Sequence, residues 1–281
     1  MIDPADPEHL ARLLRRHRVD PKHSFGQNFL VDAAIRDRVA DAAGITHDDD
    51  VLEVGAGVGA LTVALAPRCT RLVAVEIDRR LTPVLREVLG SASNVEVVEA
   101  DILKLDVATY FPQGADVVAG NIPYNLTGAL IRQLLDHEPR PRHLSLVVQK
   151  EVAERWTAAT GASLATVAVL VFAEPRLMFT VPAAAFRPQP RVDSACVVLE
   201  VRSSPAVDVD DVDAFFRLVE AVFQLRRKQL GGTLGRISGL GSAAATARLR
   251  EAGIDPERRP QTLTLAEWQA VYESFGPVPH R

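Results

Sequence analysis

A glycine-rich loop between a β-rich run and a helical pattern restricts the fold of this chain more than any other feature. Gly55, Gly57 and Gly59 directly follow the run 51–54 and precede a helical pattern over 60–66. Glycine lets the main chain turn sharply and lets a ligand approach bare backbone, while the amides at a helix start point at that ligand. The pattern therefore predicts the first strand–loop–helix unit of a ligand-binding α/β fold.

β-rich runs alternate with helical patterns after this loop. Further strands are predicted at 71–75, 95–98, 116–119 and 144–148, and an unbroken apolar run at 194–201 would complete the sheet. Strands that alternate with helices pair in parallel and bind ligands at their carboxyl ends. The predicted fold class is thus α/β, with a Rossmann-like parallel sheet wound on both faces.

The last part of the chain has a different pattern. Arg202-Ser203-Ser204-Pro205 is the best linker candidate, and beyond it helical periodicity continues without any strand pattern. Helices are predicted at 212–225, 243–252 and 265–275. We therefore expect an α/β domain over 1–202 and a small all-α domain over 203–281.

Composition excludes several classes of protein. Of 281 residues, 47% are hydrophobic and 24% charged, which is ordinary globular usage and not that of a disordered or fibrous chain. No apolar run is long enough to cross a bilayer, and the first twenty residues resemble neither a secretory signal nor a transit peptide. Cys69 and Cys196 stand far apart, as in proteins of a reducing compartment. We expect a soluble cytoplasmic protein that does not bind a membrane.

Net charge alone argues weakly against a nucleic-acid partner, because the chain carries −4. The acidic excess, however, falls in 31–110, and basic clusters lie elsewhere. They comprise the N-terminal amphipathic helix, with Arg12, Arg15 and Arg16, and the run Arg226-Arg227-Lys228. Each cluster is either an ordinary solvated face or part of an RNA-binding surface.

Two acidic residues follow the glycine loop at the ends of successive predicted strands. Glu76 can accept hydrogen bonds from ribose hydroxyls, and Asp101, one strand later, can accept one from an adenine amino group. The dinucleotide-binding fingerprint has its third glycine at the position where this loop has Ala60. A nucleoside cofactor with an amino-acid tail, S-adenosylmethionine, therefore fits better than NAD.

Asn121-Ile122-Pro123-Tyr124 follows the fourth predicted strand and suits methylation of a base amine. An adenine amino nitrogen is a poor nucleophile, and it improves when the Asn121 side chain and the Ile122 carbonyl accept its two hydrogens. Pro123 fixes the preceding main chain, and Tyr124 offers a ring for stacking. Phe186 either covers the other face of the base or packs in the core. We predict no metal site, because the spacing of the histidines does not fit one.

In their order along the chain, these motifs resemble the KsgA-type (RsmA) family of small-subunit ribosomal RNA adenine dimethyltransferases. The resemblance runs from about His9 to Phe275. Its carriers are Phe25–Leu30, Glu53–Thr62, Glu76–Asp78, Asp101–Leu103, Asn121–Asn125, Gln149–Arg155, Phe186–Ser194, Arg226–Lys228 and Arg259–Leu263.

The resemblance implies an S-adenosylmethionine-dependent methyltransferase domain followed by a helical domain that faces RNA. The cofactor contacts that it implies, together with the glycine loop, are Asn28, Leu30, Gly55, Gly57, Glu76, Asp101 and Asn121. Asn121, Tyr124 and Phe186 would contact the target adenine. It further implies dimethylation of two adjacent adenines in a hairpin loop near the 3′ end of 16S rRNA, on an assembling small subunit, by a monomer.

Two alternatives stay open on the sequence. One is a resistance-type enzyme that methylates an adenine of 23S rRNA, which shares the glycine loop and Asn121–Tyr124; the basic motifs of the helical domain favour the small-subunit enzyme. The other is a non-catalytic RNA-binding assembly factor on the same fold, which we would expect to have lost Asn121, Tyr124 or the glycines.

Overall fold

The structure, a computed structural model, describes residues 3–21, 26–123, 126–135, 138–158 and 160–278. The chain packs into two compact units. The first comprises Met1–Glu154 and Glu174–Val201, and the second comprises Arg155–Ala173 and Arg202–Arg281. The predicted domain boundary after residue 202 stays a prediction. In the structure, the segment 155–173 packs with the C-terminal helices.

The strands form a seven-stranded sheet and a separate two-stranded one. In chain order they are β1 (Phe29–Leu30), β2 (Asp50–Val54), β3 (Arg71–Glu76), β4 (Val95–Glu99), β5 (Val117–Asn121), β6 (His143–Gln149), β7 (Ala173–Val181), β8 (Phe186–Arg187) and β9 (Ser194–Val201). The large sheet has the order β4-β3-β2-β5-β6-β9-β7, and β1 pairs with β8 in antiparallel orientation.

The predicted parallel sheet is confirmed for the five strands from β4 to β6 in that order. The predicted strand at 194–201 is also present, but β9 runs antiparallel to β6 and does not close the sheet. The outer position belongs to β7, a strand that was not predicted. Pro175 weakens the strand pattern there, and an edge strand tolerates proline because one side of its ladder is unpaired.

The helices of the first unit and its junction are α1 (Pro7–His17), α2 (Ala33–Ala42), α3 (Thr62–Leu65), α4 (Thr82–Leu89), α5 (Thr127–Leu135) and α6 (Lys150–Thr157). Local signals set the ends of α1. The Asp6 side chain accepts hydrogen bonds from the amides of Glu8 and His9, and Arg18 ends the helix in the left-handed conformation. Leu10 and Leu13 bury the apolar face of α1 in one cluster with Leu81 and Val84 of α4 and the turn before it. The basic face of α1 is left outside.

The main core of the first unit lies where β2, β3, β5 and β9 pack against α2 and the turn after α3. Cys69 and Cys196 lie in this core as free thiols. Burial raises the pKa of each to about 11, so both stay protonated at neutral pH. Among the described residues, no helix has the length and apolar character required to span a lipid bilayer.

The second unit is helical. Its helices are α7 (Leu164–Phe172), α8 (Val212–Gln224), α9 (Leu230–Ile237), α10 (Ser242–Glu251) and α11 (Leu265–Phe275). Aromatic pairs fill its core, including Phe172 stacked on Phe216 and Phe223 tilted against Trp268. The helix α9 was not predicted, because its glycines have low helix propensity. At Gly235 a Cβ would lie 2.7 Å from the Gly241 carbonyl carbon, so glycine there permits a close approach of the chain.

Candidate active site

A cleft opens at the carboxyl ends of the parallel strands in the first unit. Its lining includes most of the residues predicted to bind the cofactor or the target base. Of the predicted set it contains Asn28, Leu30, Gly55, Gly57, Glu76, Asp101, Asn121, Ile122 and Pro123. The carboxyl ends of neighbouring parallel strands meet at one edge of a sheet, which brings these residues together from distant parts of the sequence.

The glycine loop lines this cleft. Gly55 and Gly57 have φ angles of +74° and +60°, a conformation that side-chain-bearing residues rarely adopt. A Cβ at Gly57 would lie 3.4 Å from the ring of Phe29. Since that distance is close to an ordinary contact, the positive φ is what requires glycine at this position.

Glu76 connects the end of β3 to the glycine loop. Its Oε2 accepts a hydrogen bond from the Gly57 amide at 2.8 Å, and its Oε1 accepts one from the Asp78 amide at 2.7 Å. Burial raises the pKa of this carboxyl, and the two amides oppose that rise. Carboxylate oxygens accept more than one hydrogen bond each, so Glu76 keeps capacity for hydroxyl groups of a ligand.

Asp101 follows β4 and is half-buried at the rim of the cleft. Its Oδ1 accepts a hydrogen bond from the Leu103 amide at 3.1 Å, which caps the short turn Ile102–Lys104. Lys104 lies 3.6 Å from its other oxygen and is itself exposed. Both the capping and the ligand-binding interpretation of this acid are therefore compatible with its position.

Asn121 ends β5, and its amide has a defined orientation. Its Nδ2 donates a hydrogen bond to the main-chain carbonyl of Asn28 at 2.9 Å. The side chain of Asn28 in turn donates to the carbonyl of Gly26 at 3.1 Å. Since the Nδ2 side of the Asn121 amide faces Asn28, its Oδ1 faces the other way.

Ile122 and Pro123 hold the main chain beyond Asn121. The Ile122 side chain is buried, and its amide donates to the Val147 carbonyl of β6 at 3.0 Å, which extends the sheet pairing by one residue. Tyr124, the predicted stacking residue, lies outside the described residues. Phe186 in β8 is 1% exposed and packs in the main core opposite Leu30. Of the two predicted alternatives for Phe186, the structure shows packing in the core. Stacking on the target base would require the ring to leave this position.

Glu53 lines the same cleft and was missed as a site residue, although its acidic side chain within an apolar strand was a visible signal. It is 1% exposed, and its Oε2 has no hydrogen-bond partner among the described residues. Burial raises the pKa of this carboxyl to about 8; the nearby Thr62 hydroxyl lowers it and the charge of Glu76 adds to the rise. Ionisation of Glu53 is costly because Oε2 is unpaired among the described residues, and a cation in the cleft would stabilise the ionised form.

Two other lining residues were also missed. Ile77 follows Glu76 and is 44% exposed beside the cleft, an apolar surface suited to the face of a base. Its place after a strand-end acid was a signal in the sequence. Gln27 donates from Nε2 to Asp78 at 2.8 Å, and no sequence pattern pointed to that contact.

The residues predicted to bind RNA are exposed. Arg12, Arg15 and Arg16 lie on α1, where Arg16 pairs with Glu87 of α4. Arg226, Arg227 and Lys228 follow α8 in the second unit. In the described part of the chain, no cluster of three His, Cys, Asp or Glu side chains has the geometry to hold a metal ion.

Comparison with known proteins gives this site a family. The sequence profile described as "Ribosomal RNA adenine dimethylase" matches residues 19–275. Ribosomal RNA small subunit methyltransferase A of Pelotomaculum thermopropionicum is 42% identical over 290 aligned positions, which cover 98% of each chain.

Solved structures agree with that assignment. A dimethyladenosine transferase from Plasmodium falciparum superposes with a TM-score of 0.71 at 26% identity, covering 89% of this chain and 98% of that one. The 23S rRNA methyltransferase ErmE superposes with a TM-score of 0.66 at 30% identity, covering 88% and 99%. The chain belongs to the ribosomal RNA adenine dimethylase family.

Proposed function

We propose that this protein transfers methyl groups from S-adenosylmethionine to the N6 atoms of adenines in small-subunit ribosomal RNA. The observation that carries the proposal is the amide of Asn121, held by the Asn28 carbonyl at the cleft that Glu76 and the glycine loop also line. An oriented amide oxygen beside a nucleoside-binding cleft is what methylation of a base amine requires.

The cleft has the chemical groups that this cofactor needs. Glu76 would accept hydrogen bonds from the ribose hydroxyls, and Asp101 would accept one from the adenine amino group. The glycine loop gives the amino-acid tail close access to the main chain, and Oε2 of Glu53, unpaired among the described residues, would gain a partner in a positively charged ligand. Asn28 and Leu30 would cover the cofactor from the segment before α2.

The residues around Asn121 would prepare the target amine. The Asn121 Oδ1 and the Ile122 carbonyl would accept the two amino hydrogens, which localises the nitrogen lone pair, and Tyr124 would stack on the base. When bound, S-adenosylmethionine supplies a methyl group made electrophilic by its positively charged sulfur. No general base is required, since the amine loses a proton readily once it carries the new methyl group. Alignment of the two reactants would supply most of the rate enhancement.

The finer substrate is part of the proposal. We infer that the enzyme dimethylates two adjacent adenines in a hairpin loop near the 3′ end of 16S rRNA, while the small subunit assembles, as a cytoplasmic monomer. The full-length identity to a small-subunit methyltransferase supports this substrate over 23S rRNA. The similarity to ErmE keeps 23S rRNA as the second candidate.

The deciding experiment supplies methyl-labelled S-adenosylmethionine and purified protein to unmethylated small subunits, to large subunits and to free rRNA. Modified bases are then mapped, with the Asn121→Ala variant as the inactive control. We expect the label at two adjacent adenines of small-subunit RNA and in no other RNA. Label confined to large-subunit RNA would establish the second candidate, and RNA binding without transfer to any substrate would contradict both.

A further inference from the structure

Asp78 is a nearly buried acid beside the active site to which the proposed chemistry gives no role. It is 3% exposed, and both of its oxygens are engaged. Arg80 donates from Nε to Oδ1 at 2.9 Å and from Nη2 to Oδ2 at 2.6 Å, and Gln27 donates from Nε2 to Oδ2 at 2.8 Å. Burial opposes ionisation here, but the hydrogen bonds from Arg80 and Gln27 prevail and lower the pKa of Asp78 to about 2. Asp78 is therefore a fixed anion throughout the working pH range.

This anion fixes the chain segment that holds the catalytic amide. Gln27, which Asp78 binds, immediately precedes Asn28, whose carbonyl accepts the hydrogen bond from Asn121 Nδ2. Arg80 also donates from Nη1 to the carbonyl of Asp20 at 3.2 Å. The Asp78–Arg80 pair thus contacts the chain on both sides of residues 22–25.

The position of the Asn28 carbonyl has a chemical consequence at Asn121. A side-chain amide can rotate by half a turn, which exchanges its donor and acceptor ends. Only one of the two orientations leaves Oδ1 available to accept a hydrogen from the target amine. The Asn28 carbonyl selects that orientation because it accepts from Nδ2 and would repel Oδ1.

We propose that Asp78 is a positioning residue of the methyl transfer, which acts through Gln27 on the Asn28 carbonyl and so sets the orientation of the Asn121 amide. The inference rests on the role proposed for Asn121 above. It assigns to Asp78 a task separate from that of its own main-chain amide, which binds Glu76 whatever side chain the residue carries.

That separation makes the inference testable. Asp78→Asn keeps the shape of the side chain and the main-chain amide that holds Glu76, but it removes the charge that binds Arg80 and replaces one acceptor by a donor. Gln27→Ala removes the next contact from a residue that is only half-buried. Asp49→Asn is a matched control, because Asp49 is 4% exposed and binds Arg142 through two hydrogen bonds of 2.9 and 3.0 Å at the other end of β2.

The experiment combines kinetics with two measurements that do not depend on turnover. We expect kcat to fall about tenfold or more in Asp78→Asn and in Gln27→Ala, while KM for S-adenosylmethionine changes less than about threefold. The double variant should lose little more than either single one, because both act through one contact. Asp49→Asn should keep kcat within about twofold even where it lowers the melting temperature.

The direct readout is the side-chain amide resonance of Asn121 in ¹⁵N-labelled protein, assigned by its absence in Asn121→Ala. It should shift in Asp78→Asn and Gln27→Ala and stay in place in Asp49→Asn. Affinity for S-adenosylhomocysteine, measured by calorimetry, should be nearly unchanged in all three variants.

Three results would overturn the inference. They are an unshifted Asn121 resonance with full kcat in Asp78→Asn, a loss of cofactor affinity as large as the loss of kcat, or an equal loss of kcat in Asp49→Asn. None of these depends on which ribosomal RNA is the substrate. A wild-type enzyme that methylates no RNA would instead contradict the proposed function, and the resonance would still report on the contact.

Discussion

The Glu76 carboxylate and the Gly57 amide form a 2.8 Å hydrogen bond that joins the end of β3 to the loop after β2. Through this bond, the residue proposed to bind the ribose also fixes the main chain proposed to receive the amino-acid tail. Changes at Glu76 should therefore alter cofactor binding through both parts of the cleft.

We expect Glu76→Gln to weaken binding of S-adenosylmethionine roughly ten- to a hundredfold, because a hydrogen bond to a charged acceptor is worth about 1.5–3 kcal/mol. Isothermal titration calorimetry measures the change. Glu96→Gln, on the neighbouring strand β4, alters a carboxylate with half of its side chain exposed, and it should bind normally. Equal affinities in wild type and Glu76→Gln would exclude the ribose role.

Asn121→Ala should abolish methyl transfer, with kcat lowered by about a hundredfold or more, as for the loss of other oriented hydrogen-bonding groups in active sites. Most of the affinity for S-adenosylmethionine should remain, because Glu76 and the glycine loop are intact. The control is Asn94→Ala, since Asn94 also donates to main-chain carbonyls, those of Ala66 and Cys69, away from the cleft. An active Asn121→Ala protein would rule out the proposed acceptor.

The strand-end positions of Glu76, Asp101 and Asn121 were predictable from the sequence because each lies within three residues of the end of a β-rich run. In a parallel sheet, that local signal alone determines the edge where a residue lies. Gln27–Asp78 and Asn28–Asn121 were not predictable, since each joins segments distant in the chain through side-chain geometry that no periodicity encodes. The edge strand β7 and the glycine-rich helix α9 were missed because packing there overrides weak local propensity.

The free energy of unfolding should depend on pH through Glu53. Its pKa is about 8 in the folded protein against an ordinary value of 4.5, so between these limits the folded state binds the additional proton. Below pH 4.5, Glu53 therefore makes its full contribution to the free energy of unfolding. Between pH 4.5 and about pH 8 this contribution falls by at most about 1.4 kcal/mol per pH unit, and above pH 8 it falls no further.

Urea denaturation at several pH values tests this dependence. Glu53→Gln should flatten the decline between pH 5 and 8 relative to the wild-type protein. Parallel slopes in wild type and Glu53→Gln would mean that Glu53 is ionised in the folded protein.

Gly59→Ala should destabilise the protein by about 2–4 kcal/mol. Gly59 has φ +87°, and an added Cβ would lie 2.8 Å from Leu85 Cδ1 and 3.2 Å from Val88 Cγ1, so steric overlap adds to backbone strain. Gly253 has φ +74° at the end of α10 with no atom within 4 Å of a Cβ, so Gly253→Ala should cost only about 1–2 kcal/mol of backbone strain. Equal losses of stability in the two variants would show that Leu85 and Val88 move aside without a measurable loss of stability.

Replacing Arg12 and Arg15 by Gln should weaken rRNA binding regardless of RNA sequence. The slope of log K against log salt should flatten by about 0.7–0.9 for each phosphate that these arginines no longer neutralise. A double variant of Arg68 and Arg176 to Gln removes the same charge from sites outside α1 and should keep the wild-type slope. An unchanged slope in the Arg12 and Arg15 variant would mean that the basic face of α1 is exposed to solvent and does not bind RNA.

The pairing of β1 with β8 also bears on the order in which the protein folds during synthesis. The five parallel strands, the glycine loop and Glu76 are all present in the nascent chain before residue 150. β1, which places Leu30 beside the cleft, has no partner until Phe186 and Arg187 have left the ribosome. Gln27 and Asn28 can therefore reach Asp78 and Asn121 early in synthesis, whereas the strand pairing beside Leu30 forms only when the first unit is nearly complete.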